Sequence, residues 1–68
     1  MDQISTKLGV NMKRIRTKKK MSQGDIARAL EVDRGYISNI ENGKKNPTLA
    51  TVDRIANAHG VSADELFK

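Results

Sequence analysis

Apolar residues recur at helical spacing in two short stretches between residues 23 and 42. Ile26, Ala27 and Leu30 share a face in the first stretch, and Ile37 and Ile40 do so in the second. The break between the stretches is too short for anything but a tight turn, so the two helices must cross steeply. The pattern therefore predicts a helix-turn-helix, whose second helix is free to enter a DNA major groove.

Capping residues indicate where these two helices begin and end. Ser22 followed by Asp25 matches the S-x-x-D capping box, which predicts that a helix begins around Gln23. Asp33 is a favourable N-cap for the next helix. That helix should end at Gly43, because glycine adopts the left-handed conformation that closes a helix.

A first helix is predicted over residues 5–19, with either Asp2 or Ser5 as its cap. A fourth helix, about Leu49 to His59, should begin after the cap Thr48. His59 is expected to lie at the surface, where its cation would favour the helix dipole. The residues predicted to be buried are Leu8, Met12 and Ile15 in the first helix and Leu49, Val52, Ile55 and Ala56 in the fourth.

A last short helix completes the predicted fold. Ser62 with Glu65 matches a second capping box, and Leu66 and Phe67 are expected to be buried. The sequence thus predicts an all-α fold, a compact five-helix domain that spans residues 1–68. The short loops leave no room for a second domain or an internal repeat.

The composition limits how such a fold is stabilised. Sixty-eight residues without cysteine lie near the lower size limit for folding alone, and neither a disulfide nor a thiolate metal site is available. The core must therefore be helix packed on helix. The longest apolar run is too short to span a bilayer, and the N-terminus lacks the apolar core of a secretory signal, so the cytoplasm is the expected location.

Positive charge is concentrated in the first two thirds of the chain. Residues 1–45 carry 11 Lys and Arg against 5 Asp and Glu, whereas residues 46–68 carry 2 against 3, within a formal net charge of +5. This bias suggests a polyanionic partner. A solvated, soluble surface is the alternative, and charge alone leaves the two interpretations open.

The sequence resembles the Cro/repressor-type (XRE-like) helix-turn-helix DNA-binding domains of phage repressors and bacterial regulators, and the fold implied is lambda-repressor-like. The resemblance covers nearly the whole chain. Residues 34–38 look particularly like the controller proteins of restriction–modification systems. The matching positions are Ser22–Gln23, Ile26–Ala27, Val32, Tyr36–Lys44, Gly60–Ser62 and Leu66–Phe67. Where the family often has glycine this chain has Lys20 and Glu31, which puts the turn geometry in question.

The resemblance implies that the helix after the turn is a recognition helix. Arg34 would suit a bidentate contact to guanine and Asn39 would suit adenine, while Gly35 would permit a close approach. The residues implied to contact bases are Arg34, Gly35, Ser38 and Asn39. Those implied to contact phosphates are Gln23, Tyr36, Asn42, Lys44, Lys45 and Asn46. Solvent-facing or merely paired side chains are the alternative at each of these positions.

One structural role is also implied by the resemblance, and a second follows from the small size of the domain. Arg16 and Glu41 should form a buried or half-buried ion pair that ties the first helix to the end of the recognition helix. A domain this small normally binds a two-fold site as a homodimer. The residues expected at the dimer face are Pro47, Ala63, Glu65 and Phe67.

These features predict a transcription regulator, a repressor or autoregulator, that binds double-stranded DNA. The alternatives are an antitoxin or co-regulator whose helix-turn-helix mainly docks a protein, and a nucleic-acid binder acting through charge alone. No nucleophile–base pair, glycine-rich phosphate loop or metal-ligand spacing is evident in the sequence. We therefore expect no enzyme activity, cofactor, metal, membrane association or small-molecule ligand.

Overall fold

Four α-helices and one 3-10 helix account for most of residues 3–68, the part of the chain that the computed structural model describes. No strand is present in this range, and none of its helices is long and apolar enough to cross a membrane. The predicted all-α fold with five helices is confirmed, although the last one is a 3-10 helix. The elements are α1 (Gln3–Lys18), α2 (Gln23–Leu30), α3 (Arg34–Glu41), α4 (Leu49–His59) and the 3-10 helix η1 (Ala63–Phe67).

One apolar core is shared by all five elements. Its most deeply buried members come from every helix, and each is fully shielded from solvent. Burying side chains of this size supplies about 1.5–3 kcal/mol each relative to leaving them exposed, which is the main favourable term in so small a fold. These residues are Met12, Ile26, Ile37, Ile40, Ile55 and Leu66.

The cap predicted for α2 is present. The Ser22 hydroxyl accepts a hydrogen bond from the Asp25 amide at 3.0 Å, and the Ser22 amide donates to the Asp25 carboxylate at 2.8 Å. The backbone hydrogen bond stabilises the charged form and lowers the pKa of Asp25. Thr48 caps α4 in the same manner, accepting from the Thr51 amide at 3.2 Å.

Other predicted helix starts are wrong or only partly right. Helix α1 begins at Gln3, so Ser5 lies inside the helix, and Asp2 falls outside the described residues. Asp33 has the extended backbone of an N-cap, but its side chain makes no capping hydrogen bond. The second capping box is also absent, because the Ser62 hydroxyl donates to Asp64 instead of accepting from the backbone.

Two turns carry a left-handed residue that is not glycine. Lys20 has φ 59° and Glu31 has φ 58°, at the ends of α1 and α2. These are the two positions at which the resembling family often has glycine. Left-handed backbone costs about 1–2 kcal/mol for a residue with a Cβ. The chain nevertheless keeps the tight turn after α2, where the Val32 amide donates to the Ala27 carbonyl at 3.0 Å.

Two apolar residues predicted to be buried lie at the surface. Leu49 is 84% exposed, because nothing in the described fold covers the first turn of α4. Phe67 is 36% exposed, whereas its neighbour Leu66 is fully buried and takes the core position in η1. In both cases the helical spacing is as predicted, but the core begins at Val52 in α4 and ends at Leu66 in η1.

His59 is buried, and its predicted surface role is therefore wrong. The side chain is 1% exposed, and Nδ1 lies 2.7 Å from the Ile55 carbonyl oxygen, to which it donates. Nε2 has no hydrogen-bond partner among residues 3–68. Burial lowers the pKa of His59, against the opposing effects of the hydrogen bond to the Ile55 carbonyl and of Glu41, and the nearby cations Arg16 and Lys19 lower it further. The fold therefore favours the neutral form of the imidazole.

Because the folded pKa of His59 is lowered, the unfolded chain binds more protons than the folded chain below the ordinary histidine pKa of about 6.5. The neutral-histidine contribution to stability is complete above that pH and is lost as the pH falls toward the folded pKa. We expect the melting temperature to drop between pH 7.5 and pH 5, measured by circular dichroism.

His59→Leu provides the control, since leucine fills a similar volume and does not titrate. We expect its melting temperature to be nearly flat over the same pH range. The pKa of Asp25 is also lowered, so the stability that its carboxylate contributes is lost near pH 4 and below. The effects of His59 and Asp25 on the melting temperature are therefore separable. Parallel losses in the parent and in His59→Leu would assign the pH dependence to other groups.

Candidate nucleic-acid interface

Helices α2 and α3 pack against each other and form a helix-turn-helix. Ala27 is 4% exposed, and Ile37 and Ile40 are completely buried on the facing side of α3. Val32, in the turn, packs on the same core. Because the core holds α3 by this one side, its opposite side is left open.

The open side of α3 carries polar side chains at helical spacing. Arg34, Gly35 and Asn42 are exposed, and Ser38 and Asn39 are half-buried. Asn42 donates to the Ser38 hydroxyl at 3.4 Å, so these two side chains lie side by side. We call these five residues the recognition face. It contains all four residues that the sequence predicted to contact bases.

Gly35 opens a space in the recognition face. A Cβ at this position would meet no heavy atom within 4 Å. The backbone of α3 is thus accessible here to a molecule that lies along the helix. Gly35 has a negative φ, which other residues also adopt, so the backbone conformation does not require glycine here.

The predicted pair between Arg16 and Glu41 is present and connects α1 with the end of α3. Arg16 Nε lies 2.8 Å from Glu41 Oε2, and its Nη2 donates to Oε1 at 3.1 Å. The two side chains are 12% and 2% exposed. Arg16 also donates to the Met21 carbonyl at 2.9 Å. The hydrogen bonds with Glu41 raise the pKa of Arg16, and the bidentate geometry fixes how α3 is oriented.

Gln23 belongs to the same cluster. Its Nε2 donates to Glu41 Oε1 at 3.0 Å, so a single carboxylate is bonded from α1 and from α2. The sequence predicted Gln23 as a phosphate contact. In the structure its side-chain amide is engaged with Glu41, which leaves the backbone amides at the start of α2 as the groups available there.

Gly9 is a positioning residue that the sequence analysis missed. A Cβ on Gly9 would lie 2.4 Å from the Glu41 carbonyl oxygen and 2.6 Å from that of Ile40. No real side chain tolerates such distances, so at Gly9 the backbone of α1 lies directly against the backbone of the last turn of α3. The only signal in the sequence was a glycine next to the buried stripe of an otherwise regular helix.

A basic loop follows α3. Lys44 and Lys45 are exposed, and Lys45 Nζ lies 5.6 Å from the centre of the Tyr36 ring. The Tyr36 ring packs on the edge of the core, so it holds the lysine by a cation–π contact. Asn46 accepts a hydrogen bond from the Ser5 hydroxyl, which ties the loop to α1.

The residues predicted at the dimer face differ in exposure. Pro47, Ala63 and Glu65 are half-buried, and Phe67 is partly exposed. Glu65 pairs with Lys68 at 2.8 Å. Leu49 was not among the predicted residues, although it is the most exposed large apolar side chain in the described fold. Leu49 was not predicted at the dimer face because its helical spacing predicted that it would be buried.

The geometry defines a helix-turn-helix protein with a free polar face on its second helix. A family model described as helix-turn-helix matches residues 12–66, and the chain belongs to this family. The resemblance found in the sequence is therefore confirmed.

Restriction–modification controller proteins are among the relatives. The chain is 37% identical over 68 residues to the control protein C.MunI of a Mycoplasma species, covering 98% of this chain and 92% of that protein. The crystal structure of the controller protein C.AhdI from Aeromonas hydrophila superposes with a TM-score of 0.87 at 32% identity, covering 93% and 96%. The controller protein C.Esp1396I, solved as a tetramer with its natural 35 base-pair operator, matches with a TM-score of 0.84 at 30% identity over 100% of both chains.

Removing the Glu41 side chain should destabilise the whole fold. Glu41→Ala leaves a buried guanidinium without its carboxylate and Gln23 without its acceptor. Such losses cost about 3–5 kcal/mol. The unfolding free energy from urea titration measures this loss. Asp53→Ala, which removes an exposed acid on α4, is the control and should be nearly neutral. Equal stability of Glu41→Ala and Asp53→Ala would show that the pair is only incidental.

Proposed function

We propose that this chain is a sequence-specific transcription regulator, a repressor or autoregulator, which binds a two-fold double-stranded DNA operator as a homodimer. It acts as one DNA-binding domain in the cytoplasm, and as a binding protein rather than an enzyme. The observation that carries the proposal is the recognition face: a polar, unobstructed side of a helix whose orientation is held by a buried ion pair.

The recognition face would read bases from the major groove. Arg34 is exposed at the start of α3, where a guanidinium reaches guanine O6 and N7. Ser38 and Asn39 follow one turn later, and Asn39 suits adenine N6 and N7. The open space at Gly35 would let the α3 backbone lie close to the base edges.

Phosphates would be held on both sides of this helix. Lys44 and Lys45 supply charge beyond the end of α3, with Tyr36 positioning Lys45 through the ring contact. Asn42 and Asn46 add amide donors next to them. On the other side, Gln23 places the first backbone amides of α2 toward the duplex, where a helix N-terminus favours an anion. These contacts set the register and carry no sequence information.

Self-association would place two recognition helices on one duplex. Controller protein C.Esp1396I was solved as a tetramer on its operator. In this chain the dimer face would combine Pro47, Ala63, Glu65 and Phe67 with the exposed Leu49. The nearly neutral charge of residues 46–68 supports this surface, because like charges do not oppose the approach of a second copy. Half-site centres would then lie about 34–36 Å apart.

Titration of an operator duplex and of a scrambled duplex across a salt series tests the function. The operator is first obtained by selecting bound duplexes from a random pool, which also gives its symmetry. A specific regulator keeps a large affinity ratio as salt rises. Parallel steep losses would indicate a binder that acts through charge alone. Weak binding to both duplexes would favour the alternative function, an antitoxin or co-regulator whose helix-turn-helix mainly docks a protein.

Two substitutions separate base contacts from phosphate contacts. Arg34→Ala should relax preference at one base position and cost about 1–3 kcal/mol on the selected site only. Lys45→Ala should weaken binding to all duplexes alike and reduce the salt slope by about 1. Fluorescence anisotropy on the two duplexes measures both. The opposite pattern would reverse the assignment of these two residues.

Removing the exposed apolar side chains at the dimer face should weaken self-association. The double variant Leu49→Ser with Phe67→Ser would remove apolar surface that dimerisation buries, and burial contributes about 25 cal/mol per Å². Sedimentation at a series of concentrations should show the variant as monomer where the parent is dimer. Ile4→Ser, which changes an exposed residue on α1, is the matched control. An unchanged dimer in the double variant would place the interface elsewhere.

A further inference from the structure

A groove of about 660 Å³ lies between α1 and the end of α3. One wall is a single face of α1, because its residues recur at intervals of three and four. The other wall is the end of α3. The groove is lined by Val10, Lys13, Arg14, Thr17, Lys18, Glu41 and Asn42.

The groove is cationic, and its cations are available. Lys13, Arg14 and Lys18 are exposed, and none of the ion pairs found within residues 3–68 involves them. Arg14 makes only a long hydrogen bond, 3.4 Å, to the Asn11 side chain. The one acid in the lining is Glu41, whose carboxylate is 2% exposed and already bonded by Arg16 and Gln23. The groove therefore offers three positive charges and no free negative charge.

The groove also adjoins the recognition face. Asn42 belongs to both, since it lines the groove and hydrogen-bonds Ser38 on α3. A duplex lying along the recognition face would reach the groove where α3 ends. Along the α1 axis, Lys13 and Lys18 are about 7.5 Å apart at 1.5 Å per residue. Successive phosphates of one strand are about 3.4 Å apart along the duplex axis, so this distance spans about two of them.

We propose that the face of α1 formed by Lys13, Arg14 and Lys18 is a second phosphate-binding surface, which holds the DNA backbone beyond the end of the recognition helix. This inference rests on the proposed DNA-binding function and extends it to a helix outside the helix-turn-helix. The positive charge suits any polyanion, and continuity with the recognition face through Asn42 favours a DNA strand over an acidic peptide as the occupant.

The test compares two charge-matched double variants of the full chain. Lys13→Gln with Lys18→Gln removes two cations from the groove. Lys7→Gln with Lys20→Gln removes two exposed cations that do not line it. Each variant is titrated with the selected operator duplex and with the scrambled duplex across a salt series, after circular dichroism has established that it folds like the parent.

We expect the groove variant to lower the slope of log K against log salt by about 2, because each phosphate that a lysine neutralises contributes roughly 0.9 to that slope. The ratio of affinities for the two duplexes should stay that of the parent, because phosphate contacts carry no sequence information. The control variant should change the slope by less than half as much.

Equal slopes in the two double variants would overturn the inference while leaving the proposed function intact. Parent-like DNA binding by the groove variant would also overturn the inference, and an acidic peptide would then be the occupant to test. Loss of the affinity ratio in the groove variant would also overturn it, because the face would then read bases. If the parent fails to distinguish operator from scrambled DNA, the proposed function fails by itself, and the slopes still decide whether α1 binds phosphate.

Discussion

The carboxylate of Glu41 is the point on which the orientation of α3 depends. It is almost completely buried, and a buried charge without partners is too costly for a small fold. Its partners come from two other helices, Arg16 on α1 and Gln23 on α2. The requirement to neutralise one charge thus joins three helices. The net energy of such a pair is often small, yet its geometry permits one arrangement, which is what a recognition surface needs.

Long polar side chains join the remaining elements in a similar way. The last carbonyls of a helix have no partner within it. Here two of them are satisfied from distant parts of the chain: Arg54 on α4 donates to the Leu30 carbonyl at 2.7 Å, and Lys19, just after α1, donates to the His59 carbonyl at 2.7 Å. The amide of Asn11 likewise donates to a carbonyl in η1, at 2.9 Å. A chain with so small an apolar core is therefore also connected by hydrogen bonds that run from one helix to the end of another.

Local spacing located the elements, whereas the ion pair between Arg16 and Glu41, 25 positions apart in the chain, was expected only from the family resemblance. The capping box at Ser22 and the helical apolar stripes need only neighbours within a few residues. The exposure of Leu49 and the burial of His59 depend on which other elements reach the start and the end of α4, and local spacing does not contain that information. Gly9 was missed for the same reason, since the close approach of α3 is visible only once the helices are packed.

The family resemblance assigned roles to the residues of the candidate site, and these roles stay predictions. Along α3 the residues assigned to base contact are exposed or half-buried, which leaves them accessible for those roles. The bond from Gln23 to Glu41 was not foreseen, because a polar residue at a helix start fits an anion and an internal carboxylate equally well. The grouping of the α1 cations Lys13, Arg14 and Lys18 along a groove emerged only from the fold.

The space above Gly35 has a consequence for how this protein could diverge from its relatives. A glycine inside a helix lowers stability by about 0.5–1 kcal/mol relative to alanine. No neighbour in the described fold needs the missing side chain, since a Cβ there would touch nothing. The position is thus uncoupled from the interior, and a new side chain there would alter the shape and chemistry of the exposed surface while the packing beneath it stayed the same.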